Sequence, residues 1–365
     1  MMTMSRMPAL RCLLVTGAAL FSLSPMLAAA KEPAPVAAAA KAPEVAKPYI
    51  RPDVEAYLKA YYAKPQPAFT REMLMQIHKL PPAALAAMSQ QDLPVGAMAV
   101  TKDLTMPGPA GPIALRLFDT RATRAPGPVV VFYHGGGYVL GSIDTHAGIA
   151  AEIARQLDLP VVSVEYRLAP ENPWPAAPDD GEAAARWVAA NGKAFGREFT
   201  GLVLSGDSAG GNLTLVTAAA LRDKPAAVPV VLQVPMYPAT DFSRTYPSNT
   251  QNAQGYMLDA KSMASFSQHY AADPKSLRTS PILGDLTGLP PTVLVTAELD
   301  PLRDQGRAYA ARLVEAGVPT AFYEGKGLIH GFATFRKAIP SAQGDTAAFL
   351  QLARAMLDEQ AAAKK

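Results

Sequence analysis

Two segments of the sequence carry a serine and a histidine in settings suited to nucleophilic catalysis. Ser208 lies in the segment Gly-Asp-Ser-Ala-Gly, between an apolar run typical of a strand and an Ala-rich run typical of a helix. In that context a GxSxG sequence forms a sharp turn that exposes the serine hydroxyl. A serine needs a base to become nucleophilic, and His330 follows a strand-like run in the segment Gly-Leu-Ile-His-Gly-Phe. We therefore predict Ser208 as the nucleophile and His330 as its general base.

The acid that orients this histidine is expected at the end of a strand between the serine and the histidine. Asp300 closes the apolar run PTVLVTAELD. Glu298, two residues earlier on the same face of the strand, and Asp304, in the segment DPLRD, are alternatives. Asp300 is preferred because functional loops emerge from the C-terminal ends of parallel strands. Such a triad attacks acyl carbons, with the acid stabilising the imidazolium that forms.

A second glycine-rich motif, His-Gly-Gly-Gly-Tyr at residues 134–138, directly follows the apolar run VVVFY. Glycines let backbone N–H groups approach the oxyanion of a tetrahedral intermediate closely. We predict Gly135 and Gly136 as two donors and Ala209, the residue after the nucleophile, as the third. Glycines that merely make a strand end flexible are the alternative, and the order of the two motifs along the chain favours the oxyanion hole.

Other chemistries find no support in the sequence. It contains no HExxH pair, no phosphate-binding GxxxxGK[ST] and no dinucleotide-binding GxGxxG segment, so we predict no metal and no cofactor. The only cysteine is Cys12. The remaining histidines are given no catalytic role. His78 is expected to pack in a helix and His134 to brace the loop that it precedes, and neither His146 nor His269 has an acid at a suggestive spacing.

The N-terminus reads as an export signal at residues 1–30, with Arg6 and Arg11 before an apolar stretch and small residues before Lys31. A membrane anchor is the alternative, but the stretch is interrupted and shorter than the roughly 20 residues that a spanning helix needs. We expect an exported protein, periplasmic or secreted, without stable membrane insertion after signal removal. Residues 31–48, made of Ala, Pro, Lys, Glu and Val, are expected to form a flexible linker.

The net charge of the chain bears on its partners. Two of the 34 Lys and Arg residues lie in the predicted signal, so the rest of the chain has 32 of them against 31 Asp and Glu. A balance this close to neutral gives no reason to expect nucleic acid as a partner.

Alternating strand-like and helix-like runs from residue 129 onward predict a mostly parallel sheet flanked by helices. Two regions lie outside this alternation. Residues 50–97 contain helical patterns before the sheet begins, and residues 238–282 are polar, aromatic and Pro-rich. We predict one catalytic domain at residues 49–365, in which both regions form a helical cap.

Five separated segments resemble the bacterial hormone-sensitive-lipase-like esterases, between Val129 and Phe335: HGGGYVLGSIDTH, VEYRLAPENPWPAAPDD, GDSAGGNL, LPPTVLVTAELDPLRDQG and IHGF. The resemblance implies an α/β-hydrolase fold with a cap, and it places nucleophile, acid and base on Ser208, Asp300 and His330. It also implies that residues 167–171 brace the active-site loops.

The function implied is a serine carboxylesterase for short to medium acyl esters, with a small-molecule ester as its partner. A hydrolase of amides, lactones or acetylated carbohydrates would use the same residues. A non-catalytic binding protein, such as the plant gibberellin receptor that resembles this family and lacks the catalytic histidine, is a third reading. The sequence leaves the natural substrate open and is compatible with a homodimer.

Overall fold

Runs of apolar and β-branched residues form eight strands of one sheet in the computed structural model, which describes residues 48–66, 69–88 and 90–363. The strands are β1 (Val100–Gly108), β2 (Gly111–Asp119), β3 (Gly127–Tyr133), β4 (Val161–Val164), β5 (Phe199–Asp207), β6 (Val230–Met236), β7 (Thr292–Leu299) and β8 (Thr320–Ile329). Their order is β1-β2-β4-β3-β5-β6-β7-β8. Pairs β1–β2 and β2–β4 are antiparallel and the others are parallel. The predicted α/β fold with a mostly parallel sheet is confirmed.

Helices connect these strands in the described part of the chain. They are α1 (Pro52–Tyr62), α2 (Arg71–Ile77), α3 (Pro82–Met88), α4 (Ala147–Leu157), α5 (Ala176–Ala190), α6 (Ala209–Asp223), α7 (Pro247–Gln251), α8 (Ala260–Tyr270), α9 (Arg303–Glu315) and α10 (Ala342–Ala362). The predicted signal at residues 1–30 lies outside the described residues, as does all but the last residue of the predicted linker.

The sheet is the middle layer of three. Helices α1, α4 and α10 bury apolar side chains such as Val54 and Phe349 against one face. Helices α5, α6 and α9 bury side chains such as Leu213 and Leu313 against the other. The central strands β3 and β5 are therefore covered on both faces, which explains their nearly unbroken apolar sequences.

The two predicted cap regions contact each other at the carboxyl end of the sheet. Before α2, the carbonyl of Phe69 accepts hydrogen bonds from Ser265 Oγ (2.9 Å) and His269 Nε2 (2.9 Å) of α8. The rings of Phe69 and Phe266 lie 5.1 Å apart. Helix α1 buries Leu58 in the core cluster that contains Phe349 of α10, whereas α2 buries Leu74 in the cluster on the other face of the sheet.

Candidate active site

Ser208 occupies a strained turn between β5 and α6. Its backbone has φ 54° and ψ −115°, a combination that residues with a Cβ atom rarely adopt. The turn is tight, because a Cβ at Gly210 would collide with the carbonyl oxygen of Tyr133. The Ser208 N–H donates to the carbonyl of Met236 on β6 (2.9 Å), which ties the turn to the neighbouring strand. The serine is thereby presented at the carboxyl edge of the sheet.

A hydrogen-bonded chain connects Ser208 to two residues from later strands. His330, directly after β8, lies with Nε2 2.8 Å from Ser208 Oγ and with Nδ1 2.7 Å from Asp300 Oδ2. A carboxylate oxygen accepts, so Nδ1 is the donor and Nε2 accepts from the serine hydroxyl. Asp300 follows β7 and is fully buried, and its second oxygen accepts from the backbone N–H of Leu302 (2.7 Å). The three residues have the geometry of a nucleophile, a base and an orienting acid.

The two alternative acids have other partners. Glu298 accepts a hydrogen bond from the backbone N–H of Gly327 (2.7 Å). Asp304 pairs with Arg303 and accepts from the backbone N–H of Ser248 (2.9 Å). Asp300 is therefore the carboxylate positioned on His330.

The glycine-rich loop at residues 134–138, called the oxyanion loop below, requires one correction. Gly135 N–H donates to Asp207 Oδ1 at 2.8 Å and therefore points away from the reacting atoms. Gly136 and Gly137, in contrast, line the cavity beside Ser208. Gly136 has φ 116°, and a Cβ there would collide with the carbonyl of Leu140. The expectation that Gly135 is an oxyanion donor is wrong, because its N–H already has an acceptor.

Three backbone N–H groups remain available to an oxyanion. Within the described ranges, no hydrogen bond is donated by the N–H of Gly136, Gly137 or Ala209. Ala209 is the first residue of α6, where N–H groups lack partners within the helix. The glycine-rich motif alone could not decide which of its glycines face the nucleophile. The available signal was Asp207, a carboxylate next to the nucleophile that can accept a hydrogen bond from one of these N–H groups.

This geometry matches what the comparisons with known proteins find. A family model described as alpha/beta hydrolase fold matches residues 130–334. The chain belongs to this family. Carboxylesterase NlhH of Mycobacterium tuberculosis is 37% identical over 307 residues, which cover 80% of this chain and 92% of that protein. Esterase LipI of the same organism is 40% identical over 247 residues, covering 66% and 77%.

Among solved structures, the hyperthermophilic esterase from the archaeon Pyrobaculum calidifontis aligns with a TM-score of 0.74 and 35% identity, over 85% of this chain and 99% of that one. The resemblance to hormone-sensitive-lipase-like esterases is thereby confirmed. The relatives match over most of their own length, so the likeness includes more than the sheet.

A cavity of about 1060 Å³ opens beside Ser208 in this α/β-hydrolase. Both predicted cap regions contribute apolar side chains to its wall: Tyr61, Phe69, Leu85, Leu258, Met263 and Phe266. Such a lining favours apolar groups of a substrate, and the serine, the histidine and the loop N–H groups supply the polar contacts at its floor.

A second histidine–aspartate pair lies behind the oxyanion loop, where the sequence suggested no acid partner for His146. Its Nε2 is 3.5 Å from Asp207 Oδ1. Burial opposes charge on both groups, but their mutual attraction lowers the pKa of Asp207 and raises the pKa of His146 from the ordinary values. Burial lowers the pKa of the adjacent His134 to about 3, so that ring is neutral.

Two further observations concern alternatives. In the described ranges, no group of three or more His, Cys, Asp or Glu side chains is arranged to hold a metal ion. No helix in that part of the chain is both long and apolar enough to cross a membrane.

Proposed function

We propose that the protein is a serine carboxylesterase that hydrolyses short to medium acyl esters through an acyl-enzyme intermediate. The observation that carries the proposal is the hydrogen-bonded chain from Ser208 through His330 to Asp300 at the floor of an apolar cavity. The relatives named esterase and carboxylesterase support the same reaction.

In this mechanism His330 accepts the Ser208 proton as the serine oxygen attacks the ester carbonyl. Asp300 stabilises the imidazolium, and the N–H groups of Gly136, Gly137 and Ala209 donate to the oxyanion. His330 then protonates the departing alcohol, which leaves an acyl group on Ser208. The same histidine removes a proton from water for the second attack, which releases the acid and restores the serine.

The two other readings have weaker support. Hydrolysis of amides, lactones or acetylated carbohydrates uses the same residues, so substrate profiling separates them from simple esters. A purely ligand-binding role does not explain why His330 Nε2 lies 2.8 Å from Ser208 Oγ. Nor does it explain why Ser208 occupies a strained turn.

The test measures hydrolysis of 4-nitrophenyl acetate, butyrate, octanoate and palmitate by the mature protein. Ser208→Ala is expected to lower kcat by a factor on the order of 10⁴ or more, since no other nucleophile replaces the hydroxyl. Ser205→Ala is the matched control, because this buried serine lies three residues earlier on β5 and donates only to the carbonyl of Val234. Equal activity of Ser208→Ala and wild type would refute the mechanism.

We also propose that residues 1–30 direct export to the periplasm or the medium, that residues 31–48 form a flexible linker, and that residues 50–97 and 238–282 form a cap. The charges and apolar run of the N-terminus support the first point. N-terminal sequencing of exported protein is expected to begin near Lys31, and a chain that begins at Met1 would contradict it. The homodimer remains a prediction, which sedimentation analysis of the purified protein would test.

A further inference from the structure

We propose that Asp207 and His146 are positioning residues for catalysis: they hold the oxyanion loop in register with the nucleophile. The inference rests on the proposed esterase function and concerns the same site. Neither side chain belongs to the hydrogen-bonded chain of Ser208, His330 and Asp300.

The contacts that support the proposal are buried at Asp207 and half-buried at His146. Asp207 is 3% exposed, and its Oδ1 accepts from the N–H of Gly135 at 2.8 Å. A Cβ at Gly135 would collide with the same carboxylate, so loop and carboxylate are in van der Waals contact. His146 closes the arrangement, with Nε2 3.3 Å from the nitrogen of Gly135 and Nδ1 2.8 Å from Thr145 Oγ1.

The position of Asp207 in the chain gives these contacts their significance. Three consecutive residues supply the anchor of the oxyanion loop (Asp207), the nucleophile (Ser208) and one oxyanion donor (Ala209). Fixing the Gly135 peptide restricts the next two peptides, whose N–H groups are the other donors. Donors of this kind must be held within about 0.5 Å of the productive geometry. A single carboxylate thus ties both halves of the oxyanion hole together.

Charge gives His146 a second task. A carboxylate next to the nucleophile disfavours the negative charge that develops on the oxyanion, and an imidazolium beside that carboxylate offsets its field. Other titratable groups that act on the pair include Asp92, His134, Glu165 and His330. His146 lies within ion-pair distance of Asp207, with Nε2 3.5 Å from Oδ1, and their mutual attraction raises the pKa of His146. His146 is therefore placed to offset the charge of Asp207 behind the oxyanion loop.

The test compares Asp207→Ala and Asp207→Asn with a matched control, Asp119→Asn. Asp119 is likewise a buried carboxylate that accepts from a backbone N–H (Arg121, 2.9 Å) and forms ion pairs, but it lies outside the cavity lining. Asp207→Ala is expected to lower kcat by about 10²-fold with KM nearly unchanged, comparable to the loss of one oxyanion donor. Asp207→Asn retains an acceptor for Gly135 and is expected to recover about 10-fold of that loss.

A trifluoromethyl ketone distinguishes positioning from a general loss of stability, because its adduct with Ser208 carries an oxyanion. Its inhibition constant is expected to rise in parallel with the fall in kcat/KM for both Asp207 variants. Asp119→Asn is expected to lower the Tm and to leave kcat and the inhibition constant unchanged.

His146→Gln provides an independent variant in case Asp207→Ala does not fold. It is expected to lower kcat and weaken the trifluoromethyl ketone, with KM little changed. Folded Asp207 and His146 variants with wild-type kcat and unchanged inhibition would overturn the proposal. Absence of Ser208-dependent turnover in the wild type would instead refute the proposed function, so the two failures are distinguishable.

Discussion

Ser208 illustrates how the site stores strain at a single residue. Its φ of 54° combined with ψ of −115° costs about 1–3 kcal/mol for a residue with a Cβ atom. The packing of β5 and α6 and the hydrogen bond to Met236 maintain it. This strain exposes the hydroxyl, so stability and activity are opposed at this position.

Removing the Cβ atom should therefore stabilise the fold. We expect Ser208→Gly to have a free energy of unfolding about 1 kcal/mol higher than Ser208→Ala, because both lack the hydroxyl and only alanine retains the strain. Chemical denaturation of both variants measures the difference. The same pair of changes at Ser205, inside a regular strand, should give the opposite order. A Ser208→Gly protein that is no more stable than Ser208→Ala would contradict the inferred backbone strain at residue 208.

The residues of the site differ in how far the sequence could locate them. Motifs and chain order sufficed to choose Ser208, Asp300 and His330, because an elbow motif, a strand end and a following histidine are local signals. They could not assign the oxyanion donors among three consecutive glycines, since that choice depends on where one peptide plane points. The contact between His146 and Asp207 joins the start of α4 to the end of β5, which are far apart in sequence, and no local pattern indicates it.

At the scale of elements, α8 forms both a wall of the cavity and a support of the oxyanion loop. Phe266 and Tyr270, one turn apart on the same face of α8, contact consecutive residues of that loop. A Cβ at Gly137 would come within 2.5 Å of the Phe266 ring. The ring of Tyr270 stacks on Tyr138 with centroids 3.7 Å apart and an angle of 5° between the planes. Substrate selection and oxyanion geometry thus share one helix.

Removing the Phe266 ring should change both substrate selection and the oxyanion geometry. Phe266→Ala is expected to lower kcat for 4-nitrophenyl acetate several-fold, because the loop loses its support, while relative activity on octanoate rises as the cavity enlarges. Steady-state kinetics on the ester series checks this. Leu277→Ala, at an exposed leucine after α8, serves as the control. An unaltered ester preference would contradict the role of α8.

The sheet was predictable where apolar residues run without interruption, as in β3 and β7. The apolar alternation of the run IALRLFDT at residues 113–120 is typical of a strand, and all but its last residue lies in β2 at Gly111–Asp119. Its partner β1 was missed, because this edge strand is mostly exposed and contains Lys102, Asp103 and Pro107. Helix α6 begins at Ala209, before the Ala-rich run, and the glycines at positions 210 and 211 weaken the helical pattern at its start.

For the whole molecule, Glu165 is expected to shape the dependence of stability on pH. Burial raises the pKa of this carboxyl from 4.5 to about 6, with Asp144, His146 and Arg116 as charged neighbours. An acid with a raised pKa in the folded state binds its proton more tightly there than in the unfolded chain. Its contribution to stability is therefore largest below pH 4.5 and is lost as the pH rises through about 6.

Glu165→Gln should remove this dependence, because the amide stays neutral and retains an acceptor for the N–H of Ile143, now 2.8 Å from the carboxylate. The difference in free energy of unfolding between Glu165→Gln and wild type is expected to favour the variant more at pH 7 than at pH 4. Denaturant titrations at both pH values measure the difference. A difference in stability that is the same at pH 4 and pH 7 would contradict the raised pKa.

The first and last helices of the domain are tied together, which bears on when the chain can finish folding. Arg51 donates to both carboxylate oxygens of Asp345 (2.6 and 2.9 Å), and Asp53 accepts from the backbone N–H of Ser341 (2.8 Å). Arg51 and Asp345 are separated by 294 positions. Contacts of such high sequence separation form only after nearly all of the polypeptide has been synthesised. The N-terminal end of α1 therefore cannot gain these partners until α10 has been synthesised, so the C-terminal helix completes the docking of the first one.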